Sequence, residues 1–317
     1  MTNTGGCDKV VIEKIEWSLR MKKLMILFPI LSGIMWGSGG IFVRTLDNLG
    51  MDAFTIVGTR VIVAVFIILV GMLIFNKELL RIRLKDIWIF ILTAIFGMYA
   101  INLCYNAAIQ EVTLSLAAVL LSMSPIFVLI LAAIIYKEKI TKKKLLCMFL
   151  ALSGCVLVSG ILESSSTMQW SVKGIVLGIS SALFYAMYSL ISKLAMKRGY
   201  GGITITFYSL VFVLVMVFPM TDWDVAVKLA SEGGVKMGIF MIIHSLCTSV
   251  LPYILFTVSL SYIDAGKASI LAADEPIAAM IFGVIFFNEI PTILSLGGLV
   301  LATIAITIMT MPEKETN

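Results

Sequence analysis

The sequence predicts an all-α integral membrane protein of ten transmembrane helices, built as a 5+5 inverted repeat. Three observations predict it. Of 317 residues, 60% are hydrophobic and 14% charged, with a mean hydropathy of +1.05, whereas soluble domains carry about 25% charged residues. Apolar runs such as Leu24–Phe42, Ile87–Tyr105, Leu114–Ile135 and Ala268–Phe287 approach or exceed the ~17–25 residues a helix needs to cross a bilayer. The chain also resembles itself at a spacing of about 150 residues.

Ten apolar segments are expected at 24–44, 53–75, 87–109, 114–136, 144–161, 172–195, 203–219, 235–259, 267–287 and 292–311. Helices satisfy the backbone in lipid, and the weak alternation of a membrane β-strand is missing from these runs. Lys and Arg alternate in the links. Five precede the first segment, four lie between the second and third (Lys77, Arg81, Arg83, Lys85) and five between the fourth and fifth. The links between segments one and two, three and four, and nine and ten hold none. By the positive-inside bias both termini are expected in the cytoplasm. The bias is weaker in the second half, where Lys228 and Lys236 lie near an expected outer loop with Asp222, Asp224 and Glu232.

The repeat gives the domain organisation. Pro125, Glu138, Ala117 and Thr141 recur as Pro276, Glu289, Ala268 and Thr292, and Ser32–Arg44 matches Ser181–Lys193. Two five-helix units are expected at 24–161 and 172–311, between cytoplasmic tails at 1–23 and 312–317. Five is odd, so the second unit enters the membrane from the opposite side. The basic YKEKITKKK link then lies inside, and its charge-poor counterpart FNEIPTILS lies outside. Inverted repeats of this kind surround the midplane sites of many secondary transporters.

Trp36-Gly37, Ser124-Pro125-Ile126 with Lys137-Glu138, and Glu275-Pro276-Ile277 with Asn288-Glu289 resemble the EamA-type members of the drug/metabolite transporter superfamily over about residues 24–311. The ordered set in two copies carries the resemblance. It implies a multi-pass protein of a plasma or inner membrane, alternating access, and export of amino acids, metabolites or toxic organic compounds. The tail Met1–Arg20 departs from the pattern, as a cytoplasmic extension or because translation begins at Met21.

Asp274-Glu275 is the sharpest chemical feature, because a charge at the bilayer centre costs about 2.5–3.5 kcal/mol. Adjacent helical positions are ~100° apart, so one carboxylate is expected to line a cavity and the other to meet a partner or water. Two readings stand for Glu275: it binds a substrate cation or a coupling proton, or it is a structural carboxylate at a helix break. The first repeat has Met123-Ser124 in these places, so carboxylate chemistry would be one-sided. Pro125 and Pro276 each free a carbonyl, at Leu121 and Ala272, and mark helix breaks. Trp36, Asn102, Tyr105, Tyr185, Tyr188, Ser189 and Tyr253 are candidate substrate-binding residues, with Asn106 beside them, and packing or interface anchoring is the alternative for each.

Gly33-xxx-Gly37, Gly174-xxx-Gly178 and Gly297-Gly298 permit close helix approach. Arg44 and Lys193 are expected to snorkel, and Arg60 to snorkel or to pair with an acid. Glu138 and Glu289 are expected to cap the fifth and tenth helices or to pair with lysines, with gate latching as the alternative. His244 is either a packed ring or a proton relay. Five cysteines without a CxxC pair, and a single histidine, offer no metal site. HExxH, GxSxG and GK[ST] motifs are missing, which argues against a membrane-embedded enzyme and ATP hydrolysis, and no cofactor is expected. A gradient-driven facilitator or channel without proton coupling remains the alternative. The expected partners are a small-molecule substrate and the lipid bilayer, with no nucleic acid; a monomer suffices and a dimer is not forbidden.

Overall fold

The computed structural model describes residues 25–112, 114–159, 161–162, 171–288 and 290–311. Both expected tails, Glu289 and the side chain of Asn106 lie outside the described residues. In the described residues the chain is helical throughout. Helix α1 runs Met25–Asn48 and α2 runs Ala53–Phe75. Helix α3 comprises Ile87–Ala94, a π-helical stretch Ile95–Ala100 and Ile101–Glu111. Helix α4 comprises Leu114–Ser122 and Ser124–Tyr136; α5 is Lys142–Val158, α6 Val172–Lys197 and α7 Gly202–Val217. Helix α8 comprises Trp223–Ser245, a π-helical Leu246–Val250 and Leu251–Ser259. Helix α9 comprises Ala265–Leu271 and Glu275–Phe287, and α10 is Ile293–Thr310.

Among the described residues, nine helices are long and apolar enough to cross a membrane. Of the ten expected segments, α5 is the exception. Its helix has 17 residues, at the short end of the ~17–25 that cross a bilayer, and the first three are lysines. Helix α8 departs the other way. It carries an added helical stretch that begins at Trp223, where the Asp222 side chain accepts the Val225 N–H at 3.1 Å and caps the first turn; the backbone leaves helical geometry at Gly234, and the stretch beyond it starts at the expected position 235. Asp224, Lys228 and Glu232 are therefore helical, not loop, and the helix bends at Gly234, whose φ is +53°.

Local geometry recurs at a spacing of 151 residues. Both π-helical stretches obey it, beginning at Ile95 and Leu246. So do the breaks, where Met123 (φ −73°, ψ −4°) and Asp274 (φ −84°, ψ −4°) precede the segments that carry Pro125 and Pro276. Lys137 and Asn288 both end their helices in the left-handed region, at φ 56° and 53°. Thr141 and Thr292 then cap α5 and α10 by accepting the N–H of Lys144 (3.3 Å) and Ser295 (3.1 Å). Thr141, not Glu138, caps the fifth helix, and Glu138 takes the other expected role by pairing with a lysine, Lys193.

Two glycine contacts set how the helices meet. A Cβ on Gly298 would lie 2.6 Å from the Gly154 carbonyl oxygen, and one on Gly154 would lie 2.8 Å from that of Gly298, so α5 and α10 touch backbone to backbone. Gly297 faces open space and takes no part in this contact. Gly174 and Gly178 similarly let α6 approach Val112 and Leu120. Overpacking a close contact costs about 1–3 kcal/mol. Gly298→Leu is therefore expected to lower the thermal midpoint of the detergent-solubilised protein clearly, whereas Gly297→Leu leaves it nearly unchanged; equal shifts would show that the seam tolerates bulk.

Candidate functional site

The unwound turn of α9 organises the centre of the molecule. Proline cannot donate the hydrogen bond that would continue the helix, so the chain between Leu271 and Glu275 departs from it. Helix α1 packs against this turn through its GxxxG face. A Cβ on Gly37 would fall 2.6 Å from the Glu275 carbonyl oxygen, and one on Gly33 would fall 2.8 Å from the Ala272 carbonyl oxygen and overlap the Asp274 carboxylate. The two acids consequently take different places. Asp274 is only 5% exposed, and its Oδ1 has no hydrogen-bond partner. Glu275 lines a cavity.

That cavity measures about 510 Å³ and takes its walls from both halves of the chain. Trp36 and Gly40 come from α1, Tyr105 from α3, Ser122, Ser124 and Pro125 from α4, Cys155 from α5, Tyr185 from α6, and Ser269, Glu275 and Pro276 from α9. It extends past Arg44 near the end of α1, Ser159 after α5, and Pro291 and Thr292 between α9 and α10, so it opens at that end of the bundle. Arg44 sits in this mouth with its guanidinium carbon 4.7 Å from the centre of the Phe287 ring. Glu275 lies within electrostatic reach of the phenols of Tyr105 and Tyr185, and among the described residues it forms no ion pair.

Below the cavity an aromatic cluster fills the bundle. The Trp36 ring meets Tyr185 at 6.2 Å, Tyr253 at 5.3 Å and Phe256 at 5.6 Å, and Tyr188 stacks on Phe256 at 6.2 Å. Of the candidates, Trp36, Tyr105, Tyr185 and Glu275 thus share the cavity, together with both prolines. Tyr253 and Tyr188 belong to the plug behind it, where Tyr188 shares a hydrogen bond with Thr257 at 3.1 Å. Ser189 is fully buried and donates to the Tyr185 carbonyl at 3.2 Å. Asn102 donates to the Met98 carbonyl at 2.5 Å, away from the cavity. Sequence reasoning did not single out Phe256 or the hydroxyl wall of Ser122, Ser124 and Ser269. The 151-residue spacing from Tyr105 would have pointed to Phe256.

The opposite end is sealed by charge. Lys193 bonds Glu138 at 2.6 Å, with side chains only 13% and 8% exposed, and Glu138 also accepts the Ala265 and Gly266 N–H groups at 3.1 and 3.3 Å. Lys193 therefore does not snorkel outward. It ties the α4–α5 link to α6, and Glu138 extends the tie to the start of α9. Lys144 bonds Asp264 at 2.8 Å, Arg198 bonds Asp86, and the Tyr136 ring lies 4.1 Å from the Lys197 ammonium. Arg60 neither reaches an acidic partner among the described residues nor lies open to the outside. It is partly buried near Tyr253 and His244, and its Nε has no hydrogen-bond partner. His244 is 1% exposed and stacked on Phe42 at 5.0 Å. The described cysteines, Cys104, Cys147, Cys155 and Cys247, are all free, and no metal-ligating cluster occurs among the described residues.

A helical bundle with a central cavity open at one end and bolted at the other belongs to the class of polytopic membrane transporters. The profile of the EamA-like transporter family matches twice, at residues 23–160 and 172–311, and the chain belongs to that family, within the drug/metabolite transporter superfamily. An uncharacterized transporter of Archaeoglobus fulgidus is 28% identical over 279 residues, spanning 87% of this chain and 93% of that protein. One from Haemophilus influenzae is 24% identical over 80% of this chain and 81% of its own length, and YwfM of Bacillus subtilis is 23% identical over 91% and 95%. A solved crystal structure, 12% identical, superposes with a TM-score of 0.70 over 90% of this chain and 94% of its own, a likeness of fold.

Access from one end alone is directly measurable. Gly40 lines the cavity with open space around its Cα, whereas Ser189, its counterpart in the 149-residue repeat, is 0% exposed. In a cysteine-free background, Gly40→Cys is expected to react with a membrane-impermeant thiol reagent applied to one side only, and Ser189→Cys with reagent from neither side. Reaction of both from both sides would mean a continuous pore.

Proposed function

We propose that this chain is a secondary active exporter of small organic molecules, in which two five-helix units of opposite orientation alternate a shared cavity between the two faces of the cell membrane. Both termini lie in the cytoplasm, so the bolted end faces inward and the open mouth outward. The observation that carries the reading is Glu275, a carboxylate without an ion-pair partner among the described residues, on the wall of a 510 Å³ cavity whose far end is closed by the Glu138–Lys193 tie. A cavity of this size lies within the ~300–1,000 Å³ range of small-molecule sites.

Export against a gradient needs a driving ion. Glu275 alternates between a proton and its substrate, so that protons entering through the outward mouth release the substrate there. Opening inward requires breaking the Glu138–Lys193 pair and its bonds to the start of α9, and closing outward requires the mouth around Arg44 and Phe287 to contract. The Pro-broken helices α4 and α9 are the elements that flex, since their unwound turns already line the cavity. No enzymatic chemistry enters this scheme.

Proteoliposomes loaded with a panel of labelled amino acids and organic amines test the scheme. Wild type is expected to move at least one member saturably and faster under an imposed pH gradient. Glu275→Gln is expected to lose the gradient dependence. Equal, gradient-independent flux in both proteins would remove proton coupling and leave a facilitator. Separately, adding Glu138→Gln to Ser189→Cys is expected to make that thiol reactive from the cytoplasmic face, and continued silence there would deny the tie a gating role.

A further inference from the structure

The charges that line the cavity are arranged along its axis, not around one point. Glu275 lies deep, at the level of Gly37, whose Cα faces the Glu275 carbonyl. Arg44, the one basic side chain of the lining among the described residues, is seven positions further along α1, about 10 Å toward the mouth at 1.5 Å per residue. An α-amino acid carries its ammonium and carboxylate on a single carbon. A ligand of that kind seated on Glu275 places its carboxylate beside the acid, with no basic side chain of the lining at that depth to receive it.

The hydroxyls at the same depth point the same way. Ser122 spends its proton on the Ala118 carbonyl at 2.8 Å, and Ser269 spends its own on the Gly266 carbonyl at 2.9 Å. The Cys155 thiol is directed at the Ala273 carbonyl at 3.7 Å. These three groups keep acceptor lone pairs and have no donor left over, which suits a ligand that donates, while the Ser124 hydroxyl and the Tyr105 and Tyr185 phenols of the same lining donate to no described residue. Trp36, Tyr105 and Tyr185 add aromatic rings from three helices to the same walls, and ring faces attract cations.

Resting on the transporter reading above, we propose that the cavity selects amphipathic organic cations, an ammonium head on Glu275 with an apolar or aromatic body among Trp36, Tyr105 and Tyr185, over zwitterionic amino acids and over organic anions. Glu275 is the binding group for the head. Ser122 and Ser269 add acceptor oxygens to its shell.

A series on one skeleton tests the selection: tryptamine, tryptophan and indole-3-propionate, titrated calorimetrically against the purified full-length chain in nanodiscs. Tryptamine is expected to bind at least tenfold tighter than tryptophan, and indole-3-propionate weakest. Glu275→Gln is expected to weaken tryptamine at least tenfold and flatten the series, while Glu275→Asp keeps the order, which separates loss of charge from loss of fold. Tighter binding of tryptophan or of the acid, or no binding of any member, overturns the proposed ligand class. Uptake of labelled tryptamine into proteoliposomes then separates the two ideas. Binding without uptake leaves the ligand class standing and counts against transport, and uptake of tryptophan or the acid in preference to the amine does the reverse.

Discussion

A backbone inside hydrocarbon has nowhere to leave a carbonyl unpaired except against other protein or beside a water-filled space. The architecture of this chain follows from where it breaks its own helices. Pro125 and Pro276 interrupt α4 and α9 deep in the bundle, and both stand on the cavity wall. Around the α9 break, α1 supplies glycines in place of side chains, which lets its backbone come within packing distance of the unwound turn. Cavity, break and glycine face form one unit, and moving any one of them would expose polar backbone to lipid.

The charged end of the molecule complements this polar interior. Glu138 and Lys193 lie in an environment where each alone would be costly, and Glu138 additionally collects two backbone N–H groups from the start of α9. Their bond joins segments from the two family-profile matches. A tie of this kind holds only while every partner stays in register, which is the behaviour required of a bolt and not of a spring.

Much of this was legible in the chain. Apolar runs long enough to span a bilayer announce themselves by length, and the spacing of Pro125 to Pro276 correctly located two breaks whose backbone angles nearly coincide. Other features were hidden because they depend on contacts distant in sequence. The helical stretch ahead of Gly234 turns on one capping aspartate, Asp222. Lys193 looked like an interfacial cation because its partner, Glu138, lies on another helix end. Tyr188 and Tyr253 share residue type with the cavity residues Tyr105 and Tyr185, and only three-dimensional packing assigns them, like Asn102, elsewhere. Ser122 and Ser269 read as ordinary small helical residues until their shared wall is seen.

Asp274 and Glu275 are neighbours of nearly the same chemistry, and a turn of the helix in either direction would exchange them. Gly33 distinguishes them, because its missing side chain leaves a recess that the Asp274 carboxylate fills. The identity of the acid presented to the cavity is thus written at a position that contributes no functional group at all. Which acid faces the cavity is thus tied to a missing side chain on a neighbouring helix, and a comparison of relatives that scored only acids and aromatics would overlook Gly33.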